Sequence, residues 1–175
     1  MSEKPQDPAL ASSAHPSATY TALKHTAQAF VAGQSHKPAL AARMDFEALR
    51  ALTSSSFVHS FGPAYSVAQA PKLQGQFDFE RFQAHLQGML PMLERWEIEE
   101  KGLVVDERGR SVVVRASYRM FVKGGEGVEN DVVWWLELEE EGKDGEGGGW
   151  KVRKSTEIVD FGASTRIREL MMGGT

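Results

Sequence analysis

The sequence predicts an α+β fold in which helices cover one face of a curved, four-stranded antiparallel meander and leave a pocket for a small molecule. Two changes of pattern carry that reading. Up to about Glu94 the apolar residues recur at helical spacing, and beyond it they alternate. Short or glycine-bearing turns then separate four long alternating runs, which is the order of a meander.

The elements follow in order along the 175-residue chain. Residues 1–17 are rich in Pro, Ser and Ala and poor in large apolar side chains, so they read as a disordered tail. That leaves 18–175 as one domain, long enough to bury a core without staples. Leu23, Ala27, Phe30 and Val31 fall on one face of a helix from about Thr19, with Gly33 placed to end it. Phe46, Leu49 and Leu52 mark a shorter helix entered through Asp45, where a carboxylate suits the helix dipole. The stretch from Thr53 to Gln76, broken by Gly62, Pro63 and Pro71, reads as irregular. Asp78 caps a helix carrying Phe79, Phe82, Leu86, Met89, Leu90 and Leu93, and Pro91 kinks or ends it.

Strands are expected at about 96–106, 110–122, 129–140 and 150–160, with a final helix from Ser164 to Met172. Glu107-Arg108-Gly109 makes the first connection a tight hairpin, and Lys123 to Gly127 supplies the next turn. The loop EEGKDGEGGG is charged, glycine-rich and solvated. Alternation puts Val112, Val114, Ala116, Tyr118, Met120 and Val122 on the inner face of the second strand, opposite Arg115, Ser117 and Arg119. In the third strand Asn130, Val132, Trp134, Leu136 and Leu138 share the inner face. Val133 and Trp135 lie outward and are apolar, which argues for a second sheet packed there, a homodimer.

Composition narrows the function classes. Hydrophobic residues make up 41% and charged residues 25%, ordinary for a globular protein, and the net charge of −4 gives no basic footprint for nucleic acid or an anionic membrane. The absence of cysteine removes disulfides, thiolate metal sites and thiol nucleophiles, and is consistent with a reducing compartment. No apolar run reaches the length of a membrane span, and the N-terminus lacks a signal-peptide core, so the expected location is cytoplasmic. Scattered histidines offer no metal-ligand spacing, and no phosphate-binding loop, dinucleotide fingerprint or GxSxG elbow occurs, so no cofactor is expected.

Four segments carry a family resemblance. PMLERWEIEEKGLVVDERGRSVVVRASYRMF looks like the stretch of fungal SnoaL-like proteins in which a helix runs into two strands across an acidic, glycine-bearing turn. ENDVVWWLEL resembles their third long strand, WKVRKSTEIVDF their last, and FVHSFGP their His-containing segment ahead of a proline. Over roughly residues 19–172 the chain is thus similar to the SnoaL-like branch of the nuclear transport factor 2-like superfamily. The resemblance implies a cone-shaped fold and a cofactor-free enzyme of secondary metabolism. Such an enzyme would isomerise, cyclise or dehydrate an apolar oxygenated, polyketide- or terpenoid-like metabolite. The other class open to the fold is a non-catalytic binding or assembly module. Convergent polar groups in the cavity would mark the enzyme.

By the same resemblance Glu157 matches the acid/base position in the last strand of limonene-epoxide-hydrolase-like relatives. A carboxyl group buried in an apolar cone keeps its proton to higher pH, as proton transfer near neutrality requires. The plainer alternative is a solvated strand residue beside Arg153 and Lys154. His59, next to a Gly-Pro turn, is a candidate proton shuttle at the pocket mouth, or a hydrogen-bonded structural histidine. Asn130 is placed to hold a carbonyl or hydroxyl, with Asp131 pointing away, and Tyr118 to donate to a substrate oxygen or to pack as core. Asp160 is expected to cap the last helix rather than to react. Trp134, Phe82, Met89 and Met120 are candidate substrate-binding walls. Scytalone-dehydratase-like relatives draw histidines from the sheet. The four predicted strands contain none, which disfavours that branch.

Overall fold

The computed structural model describes residues 16–142 and 149–173. Helix α1 (Ala18–Ala32) starts where Ser17 accepts a hydrogen bond from the Tyr20 amide, and it buries the predicted Leu23, Ala27, Phe30 and Val31. Ser17 therefore belongs to the folded part, one residue inside the expected tail, while 1–15 lie outside the described residues. Asp45 caps α2 (Phe46–Ala51) and Asp78 caps α4 (Phe79–Met89). Their side chains accept from the Ala48 and Arg81 amides at 2.9 and 2.8 Å, satisfying donors that a helix start leaves free. Pro91 sits in a tight 3-10 turn, Leu90–Met92, which ends the helix as predicted.

The meander is present as β2 (Leu93–Asp106), β3 (Ser111–Val122), β4 (Gly127–Glu141) and β5 (Gly149–Val159). Most of the glycine-rich loop before β5 lies outside the described residues. The sheet nevertheless has five strands, in the order β1-β5-β4-β3-β2, which corrects the four-stranded expectation. Strand β1 (Thr53–Gly62) comes from the segment read as irregular and runs parallel to β5, with His59 opposite Ser155 and Phe61 opposite Glu157. Its serines hide the pattern, but Phe57, His59 and Phe61 are spaced at two, and that alternation is the signal of a strand. Only α3 (Ala64–Ala68) and a 3-10 turn follow before α4.

Alternation holds on the long strands. Val112, Val114, Ala116, Tyr118, Met120, Val132, Trp134, Leu136 and Leu138 are all buried. Helix α1 lies across β2, β3 and β5, and α5 (Phe161–Met171) lies against β3 and β4. The register slips between Glu100 and Gly102, and such bulges bend a sheet. The covered face therefore carries the core, and a small cavity is left among α4, the loop before α2 and the sheet.

Candidate active site

Strand pairing brings the polar inner residues together. On neighbouring strands, opposed residues project from the same face. Phe61 is opposed to Glu157, Glu157 to Trp134, and Asn130 to Tyr118, so β1, β5, β4 and β3 each contribute to one wall. Glu157 points inward, so the outward, solvated alternative is set aside, and its side chain keeps 17% exposure. Burial raises its pKa from 4.5 to about 8, because a carboxylate loses hydration there without gaining a counter-charge.

The cavity beneath this wall has a volume of about 30 Å³, the space of roughly one water molecule. Met44, Leu86, Met89 and Met120 form its apolar side, and Gln34, Tyr118, Asn130 and Glu157 bring polar atoms to it. Arg43 holds the neighbouring loop in place by donating to the carbonyls of Leu90 and Leu93 at 3.0 and 2.7 Å. The Trp96 indole donates to the Gln34 carbonyl at 2.8 Å from the other side. Met89 and Met120 thus line the cavity as expected. Phe82 and Trp134 do not: both are fully buried behind it, Phe82 against the His59 ring at 4.4 Å and Trp134 against Phe30 at 5.7 Å.

Trp134 has another role. Its indole N–H donates to the Tyr118 hydroxyl at 2.9 Å. That oxygen's acceptor capacity is used there, so the phenol proton is left to be given to something else. Burial first, and then the Glu157 carboxylate, push the Tyr118 pKa well above 10, while the hydrogen bond from Trp134 works against both. The Tyr118 phenol thus keeps its proton near neutral pH and has it free to donate.

Asn130 is 5% exposed. Its amide nitrogen donates to the Ser164 hydroxyl of α5 at 3.3 Å, and its carbonyl oxygen has no partner among the described residues. An acceptor left unpaired beside a cavity costs free energy until a donor arrives there.

His59 is not at a pocket mouth. It is fully buried on β1, packed among Phe61, Phe77 and Phe82. Burial, and then nearby His85, lower its pKa from 6.5 to about 3, so it is neutral at pH 7 and is no ready shuttle. Its Nδ1 meets the Ser155 hydroxyl at 2.8 Å, and its Nε2 lies 3.8 Å from Glu157 Oε2. Near neutral pH this is a contact of two uncharged groups, not an ion pair. The sheet thus does contain a histidine, which removes the ground for disfavouring the dehydratase branch. Sequence reasoning misses Ser155, although a position two residues before Glu157 on the same strand shares its face.

Asp160 ends β5 and caps α5, accepting from the Ala163 amide at 3.1 Å, and Asp131 faces outward, paired with Arg115. Among the described residues, no three His, Asp or Glu side chains gather as metal ligands would. No described helix is long and apolar enough to cross a membrane.

An α+β cone with helices on one face and polar groups on the floor of the sheet is the nuclear transport factor 2-like fold. Among solved structures the chain is similar to the BvnE pinacolase from Penicillium brevicompactum, at 16% identity over 94% of this chain and 100% of that one, with a TM-score of 0.68. PrhC from Penicillium brasilianum matches at 17% identity over 90% and 93%, TM-score 0.67. A Jannaschia protein described as a SnoaL-like polyketide cyclase matches at 16% over 87% and 95%, TM-score 0.62. No family model and no curated protein matches the sequence.

Proposed function

We propose that the protein is a cofactor-free enzyme that isomerises or cyclises an apolar, oxygenated polyketide- or terpenoid-like metabolite by acid–base proton transfer at Glu157. One observation carries this reading: a buried carboxyl, raised by desolvation to a pKa of about 8, among a few polar groups on the wall of a mainly apolar cavity. Such an acid is protonated at neutral pH yet loses its proton readily, which is the condition for efficient general acid–base catalysis. Glu157 gives its proton to a substrate oxygen, and the carboxylate so formed takes a proton from the adjacent carbon. Tyr118, its own oxygen accepting from Trp134, donates to the same substrate oxygen and holds it in place while the Glu157 proton is transferred, so that a neutral enol forms. Asn130 accepts from a substrate hydroxyl or holds its neighbour. That proteins of the same fold are named as a pinacolase and a polyketide cyclase supports the choice of chemistry.

Deuterium exchange on surrogate ketones tests it. Polyketide-type diketones and terpenoid ketones are incubated in D₂O with the protein, and exchange at carbons next to the carbonyl is followed by NMR. Glu157→Gln keeps the volume and removes the titration, and it should slow exchange by about two orders of magnitude or more. Equal rates for the two proteins would sink the proposal.

A second reading is favoured by the cavity's size. A volume of about 30 Å³ admits a metabolite only if the methionine and leucine side chains around it move. Methionine adapts readily, but a non-catalytic module of the same fold needs no such opening. Absence of exchange in every compound, with binding or assembly intact in Glu157→Gln, would favour that module.

A further inference from the structure

The least explained group in the core is His59 Nε2. The ring is fully buried, and among the described residues this nitrogen has no hydrogen-bond partner. It lies 3.8 Å from Glu157 Oε2, just beyond hydrogen-bond length. The other ring nitrogen is held at 2.8 Å by a hydroxyl, which can give or accept a hydrogen bond at the same oxygen. A backbone carbonyl there would fix the proton on Nδ1, and a backbone amide would fix it on Nε2. A serine fixes neither.

Glu157 is likewise a donor in one state and an acceptor in the other. Protonated, its O–H seeks a lone pair on Nε2, so the imidazole proton sits on Nδ1 and is given to Ser155 Oγ. Ionised, it seeks an N–H, so the proton sits on Nε2 and Ser155 turns its hydroxyl round to donate to Nδ1. The imidazole carries one proton in both cases, and the only proton lost overall is that of Glu157. We propose that Ser155 is a positioning residue that lets neutral His59 exchange tautomers with the ionisation of Glu157, so that both forms of the carboxyl find a complementary partner. The titratable groups facing Glu157 are His59 from β1, Tyr118 from β3 and, beyond Phe61, His85 from α4. Tyr118, its oxygen already accepting from Trp134, can only donate to Glu157, whereas the His59 ring can accept from the protonated carboxyl and donate to the ionised one.

The inference rests on the proposed role of Glu157 only for its use, and its test needs no substrate. In the full-length protein labelled with ¹⁵N and ¹³C, ring correlations locate the His59 proton while the Glu157 carboxyl carbon reports ionisation. His59→Gln and Glu157→Gln assign the two signals. Between pH 6 and 10 the proton should pass from Nδ1 to Nε2 with the same midpoint as Glu157. In Ser155→Ala an N–H on Nδ1 would face no acceptor, so the proton should stay on Nε2. The protonated carboxyl then loses its partner, and the Glu157 midpoint should fall by about one pH unit, the worth of one buried hydrogen bond. Ser155→Thr, which keeps the hydroxyl, should restore both. Water entering the space left by the hydroxyl would also lower the midpoint by rehydrating the carboxylate, so the His59 tautomer in Ser155→Ala is the reading that separates the two. If Ser155→Ala does not fold, Glu157→Gln still decides, since the tautomer should then ignore pH. A proton fixed on one nitrogen while Glu157 titrates, or an unchanged midpoint in a folded Ser155→Ala, overturns the proposal. Loss of exchange activity in Glu157→Gln is a separate result, so the proposed chemistry and the tautomer exchange stand or fall independently.

Discussion

The two faces of the sheet place the same chemical group in opposite circumstances. Asp131 and Glu157 are both carboxyls on the paired strands β4 and β5. Asp131 points outward into a bidentate contact with Arg115, whose hydrogen bonds hold its pKa below the usual carboxylate value. Glu157 points inward, finds no cation, and is raised to about 8. The outer face continues in this style, with Lys154 and Arg153 both on Glu137, while His59 and Tyr118 beside Glu157 are neutral at pH 7. Parity along a strand therefore decides whether an acid is a surface ion or a proton donor, a displacement in opposite directions caused by solvent and a neighbour rather than by residue type.

The largest way to sharpen the contrast is through pH and stability. Glu157 has a folded pKa of about 8 against an ordinary value of 4.5. Between those values the unfolded chain has lost a proton that the native protein keeps, so stability falls as pH rises, by roughly 3–5 kcal/mol. His59 runs the other way: its folded pKa of about 3 lies below 6.5, so stability falls as pH drops through that window. The slopes cancel where the windows overlap, which predicts a maximum between about pH 4.5 and 6.5 from these two groups. Urea denaturation across pH should show the alkaline decline disappearing in Glu157→Gln and the acid decline shrinking in His59→Asn. His85, whose pKa burial also lowers, leaves some acid slope behind. A wild-type stability that is flat from pH 5 to 9 would contradict the burial of Glu157.

The outer face offers the next effect. Trp135 is 53% exposed, and the residues in register beside it are Val113 and, beyond that, Val104, itself 69% exposed. We expect a second copy of the chain to cover this apolar row. Sedimentation equilibrium should find a dimer for the wild type and a monomer for Trp135→Glu, and a wild-type monomer at micromolar concentration would end the idea. A smaller effect belongs to the inner face. Trp134→Phe removes the indole N–H that Tyr118 accepts and some packed volume, and should cost about 2 kcal/mol in denaturant. Smallest of all, Asp131→Asn breaks an exposed ion pair and should leave the denaturation midpoint within experimental error, because solvent screens such pairs. If it proved as disruptive as Trp134→Phe, the outer face would be a second structural core rather than a solvated surface.

Much of this is legible in the residues. Alternation alone puts Tyr118, Asn130 and Trp134 on the covered face, and Asp45, Asp78 and Asp160 stand at the helix starts they are expected to cap. Those features depend on neighbours a few positions away, so local sequence suffices to set them. Strand β1 escapes such a reading because its pairing with β5 spans nearly a hundred residues and its serines dilute the pattern. The place of His59 is lost with it, along with its neutral charge state, since a histidine's pKa depends on how deeply it is buried.

Local periodicity is therefore enough for the α+β class, the meander and the faces of the β3 and β4 residues, because backbone geometry gives strands a period of two and helices a period of 3.6. Tertiary structure decided what those faces do. It set Glu157 against the ring of His59, turned Tyr118 into a donor through Trp134, placed Ser155 behind the imidazole, and drew Phe82 and Trp134 away from the cavity. Desolvation and hydrogen-bond complementarity depend on distances between strands that are remote in sequence, and those distances exist only once the sheet has closed around its core.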